Sequence, residues 1–183
     1  VLLMGKRVTD LVKIIIASKK DIKVAVDMTV GAGNDSKYIL ENTEVKKLYG
    51  FDIQKDAKKR ALELIGENLR FNFILDSHAS IDKYIKEGID LAIYNLGYLP
   101  GGDKEITTEY ESTIESLEKT LKLLNKDGMV VLTIYPGHPA GKIESGEIEN
   151  YLKSLDQRKY EVIKIAYPNR PNNPPYIITI QKN

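Results

Sequence analysis

The stretch DMTVGAGND places a carboxylate, Asp27, at the end of a short β-branched run and follows it with Gly31 and Gly33. Glycines at this spacing let the backbone turn tightly and let a ligand approach the amides with no Cβ in the way. The helix that starts there aims its free N–H groups at the same place. A tight strand-to-helix turn that binds nothing would use the same residues. Asp52, in GFDIQ about 25 residues further on, closes a second apolar run. An acidic side chain there can take both hydroxyls of a nucleoside ribose; a solvated surface Asp is the alternative. Gln54 either lines that ribose or caps the next helix. Asp76, Ser77 and His78 close a third run, where a base would lie if its ribose sat on Asp52. Ser or Asp at such a position can equally cap the helix that follows.

A fourth apolar run, IDLAIYNL, ends in YNLGYLPGGDKEITT, which carries an Asn, three glycines and a Pro where a strand should stop. Asn95 then points into the crevice beside the first strand, where the reactive end of a bound cofactor would be. Tyr98 follows it. Read blandly, NLG and PGG form a turn and Tyr98 packs. Beyond a fifth run, YPGHPAGKIE offers Tyr135 and His138 as acceptor-contacting or proton-accepting groups, or simply an exposed His on a Pro-Gly turn. YPNRPNNPPY offers Arg170, Asn172 and Asn173 to RNA phosphates or bases, or a rigid Pro-rich loop.

The elements that must position these residues follow from periodicity. Val8, Leu11, Val12, Ile15 and Ile16 recur at helical spacing and predict a helix over about 7–19. Strand and helix then alternate: KVAVDM and DSKYILENT, KKLYGFDIQ and KDAKKRALELIGENL, RFNFILDSH and IDKYIKEG, IDLAIYNLG and a long helix ended by Gly128. MVVLTIYPGH and GEIENYLKSLDQ complete the alternation. Such an order, with strands that are apolar throughout, predicts a parallel sheet with helices on both faces. The final YEVIKIAYPNRPNNPPYIITIQKN holds two strand-like runs and no helix, so those strands should be antiparallel neighbours.

Composition narrows the chemistry. A chain of 183 residues fits one domain with a sizeable core. Lys and Arg number 27 against 26 Asp and Glu, a net charge of +1, so any RNA contact must come from a local patch. Lys6, Arg7, Lys13, Lys19 and Lys20 supply one, unless that face is only solvated. The absence of cysteine removes disulfides, thiolate nucleophiles and Cys-based metal sites. With two histidines and no HExxH-type spacing, no metal site is expected. No apolar stretch approaches the roughly 20 residues of a membrane span. VLLMGKR lacks a signal-peptide h-region and opens on Val1 rather than Met, so the expectation is a soluble cytoplasmic protein with a trimmed start.

The order Asn95, Leu96, Gly97, Tyr98 resembles the Asn-Pro-Pro-Tyr motif of amino-group methyltransferases, in which the Asn oxygen holds a substrate N–H and the aromatic ring stacks on the base. Taken together, VDMTVGAGND, GFDIQ, DSH, YNLGYLPGGDKEITT, YPGHPAG and NRPNNPPYI resemble the YtqB-like family of rRNA methylases over nearly the whole chain. The resemblance implies the Rossmann-like class I fold of S-adenosylmethionine (SAM) methyltransferases, with strand order 3-2-1-4-5-7-6, and a homodimer. It further implies an activity like that of MnmM-type tRNA enzymes, which methylate the amino group of 5-aminomethyl-2-thiouridine at the wobble position. The family's first loop reads Asp-Ala-Thr-x-Gly-Asn-Gly-His-Asp-Thr; here Ala32 replaces the Asn, Asn34 the His and Ser36 the Thr, which leaves backbone contacts intact.

On the combined reading, Asp27, Thr29, Gly31, Gly33, Asn34, Asp35, Asp52, Ile53, Gln54, Asp76, Ser77, His78 and Asn95 hold SAM. Asn95, Tyr98 and His138 serve catalysis, while Tyr98, Tyr135, Arg170, Asn172 and Asn173 meet a tRNA, an rRNA or a small-molecule acceptor. An NAD-dependent oxidoreductase is the rival, since the sheet and Asp52 would serve either cofactor. Against it, Ser36 stands at the third glycine of GxGxxG and no substrate domain follows. A module that binds SAM or RNA without turnover is the non-enzymatic alternative.

Overall fold

The computed structural model describes residues 6–96, 110–137 and 139–183. Tyr98, His138 and the glycine-rich part of the Asn95 stretch lie outside the described residues. Seven strands form one sheet: β1 (Val24–Asp27), β2 (Lys47–Asp52), β3 (Phe71–Leu75), β4 (Ile89–Leu96), β5 (Leu124–Ile134), β6 (Tyr160–Ile165) and β7 (Tyr176–Lys182). Their order is β3-β2-β1-β4-β5-β7-β6, as the resemblance implies. The first five run parallel, and β7 is antiparallel to both β5 and β6. With the crossovers right-handed by rule, the order reverses at β1, so β1 and β4 flank the crevice where α/β sheets bind ligands.

Both faces of the sheet are buried, and β4 illustrates how. Ala92, Tyr94 and Leu96 join a core with Leu117 and Leu121 of α5 (Tyr110–Leu123) and Ile148 and Leu152 of α6 (Pro139–Lys153). Leu91 and Ile93 face the opposite core, with Leu11, Val12 and Ile16 of α1 (Val8–Ser18) and Ile39 and Leu40 of α2 (Asn34–Asn42). Two apolar faces leave a strand with no polar alternation, which is why IDLAIYNL reads as an unbroken run. The Tyr94 hydroxyl is buried, but it meets Ser116 Oγ at 2.8 Å and Thr120 Oγ1 at 3.0 Å on α5. The remaining helices are α3 (Lys55–Ile65) and α4 (Ile81–Tyr84), the latter preceded by a 3₁₀ turn over His78–Ser80.

Two boundaries differ from expectation. The long helix stops at Leu123 rather than at Gly128, and β5 begins at once. Asp127, at φ 60°, turns the chain, and the β4–β5 register shifts between Ile89 and Leu91. Gly128 is therefore a close-approach glycine rather than a helix stop: a Cβ there would lie 2.8 Å from Asn125 O and 2.9 Å from Ile89 O. Asp90 anchors this irregular start by accepting from Lys23 N, Val24 N and Asn125 Nδ2. Helix α6 begins at Pro139, ahead of the expected start at Gly146. Gly141 and Gly146 interrupt the helical pattern in its first turns, and glycine is a weak helix former.

Candidate active site

The loop after β1 is organised around a buried carboxylate. Asp27 is 1% exposed; its Oδ2 accepts from Ser36 Oγ at 2.7 Å and its Oδ1 from Thr29 N at 3.2 Å. Burial pushes its pKa up to about 7, helped by the Asp35 charge and, more weakly, by Asp52, while the two hydrogen bonds pull the other way. Ser36 thus occupies the third-glycine position with a side chain that has a job. Gly31 at φ 53° and Gly33 at φ 86° turn the loop. A Cβ on Gly33 would stand 3.0 Å from Ala61 Cα, so the loop also packs directly on α3. Asn34, exposed, and Asp35, half-buried, open α2.

Asp52 closes β2, half-buried, and accepts one backbone N–H on each oxygen: Gly31 N at 2.9 Å and Gln54 N at 2.9 Å. Each oxygen retains a lone pair, which suits two neighbouring hydroxyl donors. Gln54 is the residue before α3 and makes no side-chain cap. Ile53 stays 57% exposed beside it, an apolar surface of the kind that covers a planar base. After β3, Asp76 Oδ2 accepts from Tyr84 Oη at 2.8 Å, and Ser77 Oγ accepts from Ala79 N, capping the 3₁₀ turn. His78 points inward, edge-on to Tyr94 with ring centroids 5.8 Å apart. Burial holds its pKa down at about 4, and its Nδ1 has no hydrogen-bond partner among the described residues, so the ring is buried and neutral against Tyr94.

Asn95 lies one residue before the end of β4 and is fixed twice. Its backbone N–H donates to Thr29 Oγ1 at 2.7 Å and its Nδ2 donates to Asp35 Oδ2 at 2.5 Å. Asn95 pairs with Thr133 in the β4–β5 register, so Tyr135, just past β5, belongs to the same rim. Its hydroxyl pKa is raised by burial and then by the Asp35 charge. Further out, the Arg170 guanidinium lies 3.9 Å over the Tyr167 ring, and Tyr167 Oη donates to Lys6 O at 2.9 Å. Asn172 and Asn173, both exposed and both at positive φ, put their carbonyls about 3.9 Å and 3.8 Å from the Cβ direction of Gly137. The structure therefore gathers Asp27, Thr29, Asp35, Ser36 and Asn95 in one hydrogen-bonded cluster, ties Asp52 to the Gly31 end of the same loop, and sets Tyr135 at the edge. Arg170, Asn172 and Asn173 are exposed, and Asn172 and Asn173 lie next to Gly137, two residues past Tyr135.

Residues 48–181 match a family model described as "Putative rRNA methylase". The chain belongs to this family. A solved Clostridium thermocellum protein of the same description is 33% identical, with a TM-score of 0.93 over 99% of this chain and 100% of that one. A Streptococcus mutans "putative methyltransferase" solved in complex with S-adenosylhomocysteine (SAH) is 32% identical, with a TM-score of 0.87 over 98% and 100% of the two chains. An Arabidopsis thaliana chloroplastic protein named tRNA (mnm(5)s(2)U34)-methyltransferase is 28% identical over 174 residues, 86% of this chain; the chain spans 62% of that protein's length. Among the described residues no helix is long and apolar enough to cross a membrane, and no cluster of three metal-ligating side chains occurs.

Two features of the family's site were invisible to sequence reasoning. Ser36 as the partner of Asp27 reads only as a departure from a glycine pattern, and the Asp35–Asn95 pair spans a separation of 60 residues with no local signal.

Proposed function

We propose that this chain is a SAM-dependent methyltransferase whose acceptor is an amine on RNA, the aminomethyl group of 5-aminomethyl-2-thiouridine at the tRNA wobble position. One observation carries the reading. Asn95, at the crevice beside β1, is pinned by Thr29 and Asp35 so that its side-chain oxygen is left to accept an N–H. The family match supports RNA methylation, the Streptococcus relative supports the cofactor, and the Arabidopsis relative supports the tRNA uridine.

When bound, SAM supplies an electrophilic methyl group on a sulfonium. The residues fit it: Asp52 has one free lone pair per oxygen for the ribose, Ile53 offers an apolar surface for the adenine, and Gly31 and Gly33, whose own N–H groups are taken by Asp52 and Val30 O, keep the loop free of side chains where a ligand would approach. Asn95 holds the acceptor nitrogen through its N–H so that the lone pair faces the methyl group, which makes catalysis chiefly positioning. The chain itself would only orient the amine, whose surplus proton after methylation would pass to solvent. An alkylamine, with a lysine-like pKa of about 10.4, must be neutral to attack. Transfer therefore rises with pH until the bound amine has lost its proton.

An rRNA amine is the second reading, favoured by the family's description. Mass spectrometry of nucleosides from tRNA and rRNA of a deletion strain separates the two: loss of the methylated wobble uridine is expected, and an unchanged tRNA profile would refute it. In single-turnover assays Asn95→Ala is expected to slow transfer on the order of 100-fold, much more than it weakens SAM binding. Wild-type rates would remove the amine-holding role. The homodimer expectation belongs to the same proposal and is checked by light scattering.

A further inference from the structure

The hydrogen bonds at the ends of β1 and β4 and the first turn of α2 close into a ring. Asp27 accepts from Thr29 N and Ser36 Oγ, Thr29 Oγ1 accepts from Asn95 N, and Asn95 Nδ2 returns to Asp35, the neighbour of Ser36. An asparagine amide can present either its oxygen or its NH₂ to a partner, and the two ends have nearly the same shape. A carboxylate only accepts. Asp35 therefore takes the NH₂ end, at 2.5 Å, and the oxygen is left facing away from it. The bond is charge-assisted, roughly twice as strong as a neutral one. It also polarises the amide toward a more basic oxygen.

We infer that Asp35 is a positioning residue that fixes the polarity of the Asn95 amide, so that the site accepts methyl acceptors presenting an N–H and rejects those presenting only a lone pair. This deepens the amine-acceptor reading and rests on it. The acceptors admitted are primary amines and exocyclic amino groups. A ring nitrogen with no hydrogen would meet the Asn95 oxygen lone pair to lone pair and be repelled. Asp35 is half-buried in the second position of α2, with its charge felt at Asp27 and at Tyr135. It opens the helix that follows the Gly31–Gly33 loop, and its side chain reaches Asn95 at the end of β4.

The test uses Asp35→Asn, which keeps the shape but can meet Asn95 with either end of its own amide. Transfer to an aminomethyl-uridine tRNA is expected to slow about 10- to 100-fold, with any loss of SAH affinity at least about 5-fold smaller than the loss of turnover. The double variant Asp35→Asn with Asn95→Asp restores an amide–carboxylate pair with an acceptor oxygen toward the crevice, and it should recover at least about 10-fold over the single variant. Unchanged turnover, an equal loss of turnover and SAH affinity, or no recovery in the double variant would overturn the inference. A readout free of RNA is the NMR resonance of the Asn95 side-chain NH₂, shifted downfield by the Asp35 bond and expected to move upfield in Asp35→Asn. A resonance that stays put overturns the pairing. If the wild-type protein methylates none of the RNAs offered, the functional reading fails on its own, and the NMR shift alone upholds or overturns the role of Asp35.

Discussion

Asp27 is a carboxyl group that water cannot reach, and its buried position costs stability once it ionises. Its pKa is raised to about 7 from an ordinary 3.8, so the folded chain holds the proton more tightly than the unfolded chain does. The sign follows: its contribution to stability is full below about pH 4 and is lost as pH rises to about 7. Asp27→Asn stays neutral, and it can still accept from Thr29 N while its NH₂ meets Ser36 Oγ. Urea unfolding at pH 5 and pH 8 is expected to find the variant gaining on wild type as pH rises, by at most about 3 kcal/mol. A constant difference between the two pH values would mean that Asp27 titrates normally. Residues of this kind were legible in sequence where their signal is local. Asp27, Gly31, Gly33 and Asp52 each sit at a strand end that periodicity marks. Asn95 carries the same mark at the end of the fourth run, but its pairing with Asp35 carries none, because what joins them is tertiary contact between α2 and β4.

At the scale of elements, the loop before β7 is tied to the start of α1 through Tyr167 and Lys6, which brings two basic segments far apart in the chain onto one face. Arg170 keeps its charge exposed while its guanidinium rests on Tyr167, an arrangement that limits its freedom before any partner arrives. If this rim meets tRNA phosphates, affinity falls with salt, and Arg170→Ala should flatten the log–log slope by roughly one unit. Titration of tRNA binding across salt measures it; an unaltered slope would take Arg170 off the RNA surface. Element identity was readable for every strand, because apolar runs bounded by Gly, Asp or Asn leave little choice. Boundaries were not. The turn at Asp127 and Gly128 looks like a helix stop, whereas its geometry comes from crowding against Ile89 and Asn125. Neighbours that distant in sequence leave no trace in a window of residues.

The whole molecule is a sheet whose order departs from sequence order at two places. The first, between β1 and β4, makes the crevice. That β6 and β7 would pair antiparallel could be read from the missing helix between them, but the insertion of β7 beside β5 rested on the family resemblance alone. Periodicity says that a strand exists, not which neighbour it takes. The second place has a consequence for how the protein is made. β7 bonds to β5 on one side and β6 on the other, so β6, though synthesised earlier, has no seat in the sheet until β7 emerges from the ribosome. Ile177, Ile178 and Ile180 bring the final apolar contacts to both cores at the same moment. Assembly of this half should therefore wait for β7. A chain stopped after Pro175 should stay trapped as an open intermediate with the β5 edge bare, prone to aggregate and quickly cleaved by protease. Full-length protease resistance in that truncation would mean that the sheet closes without β7.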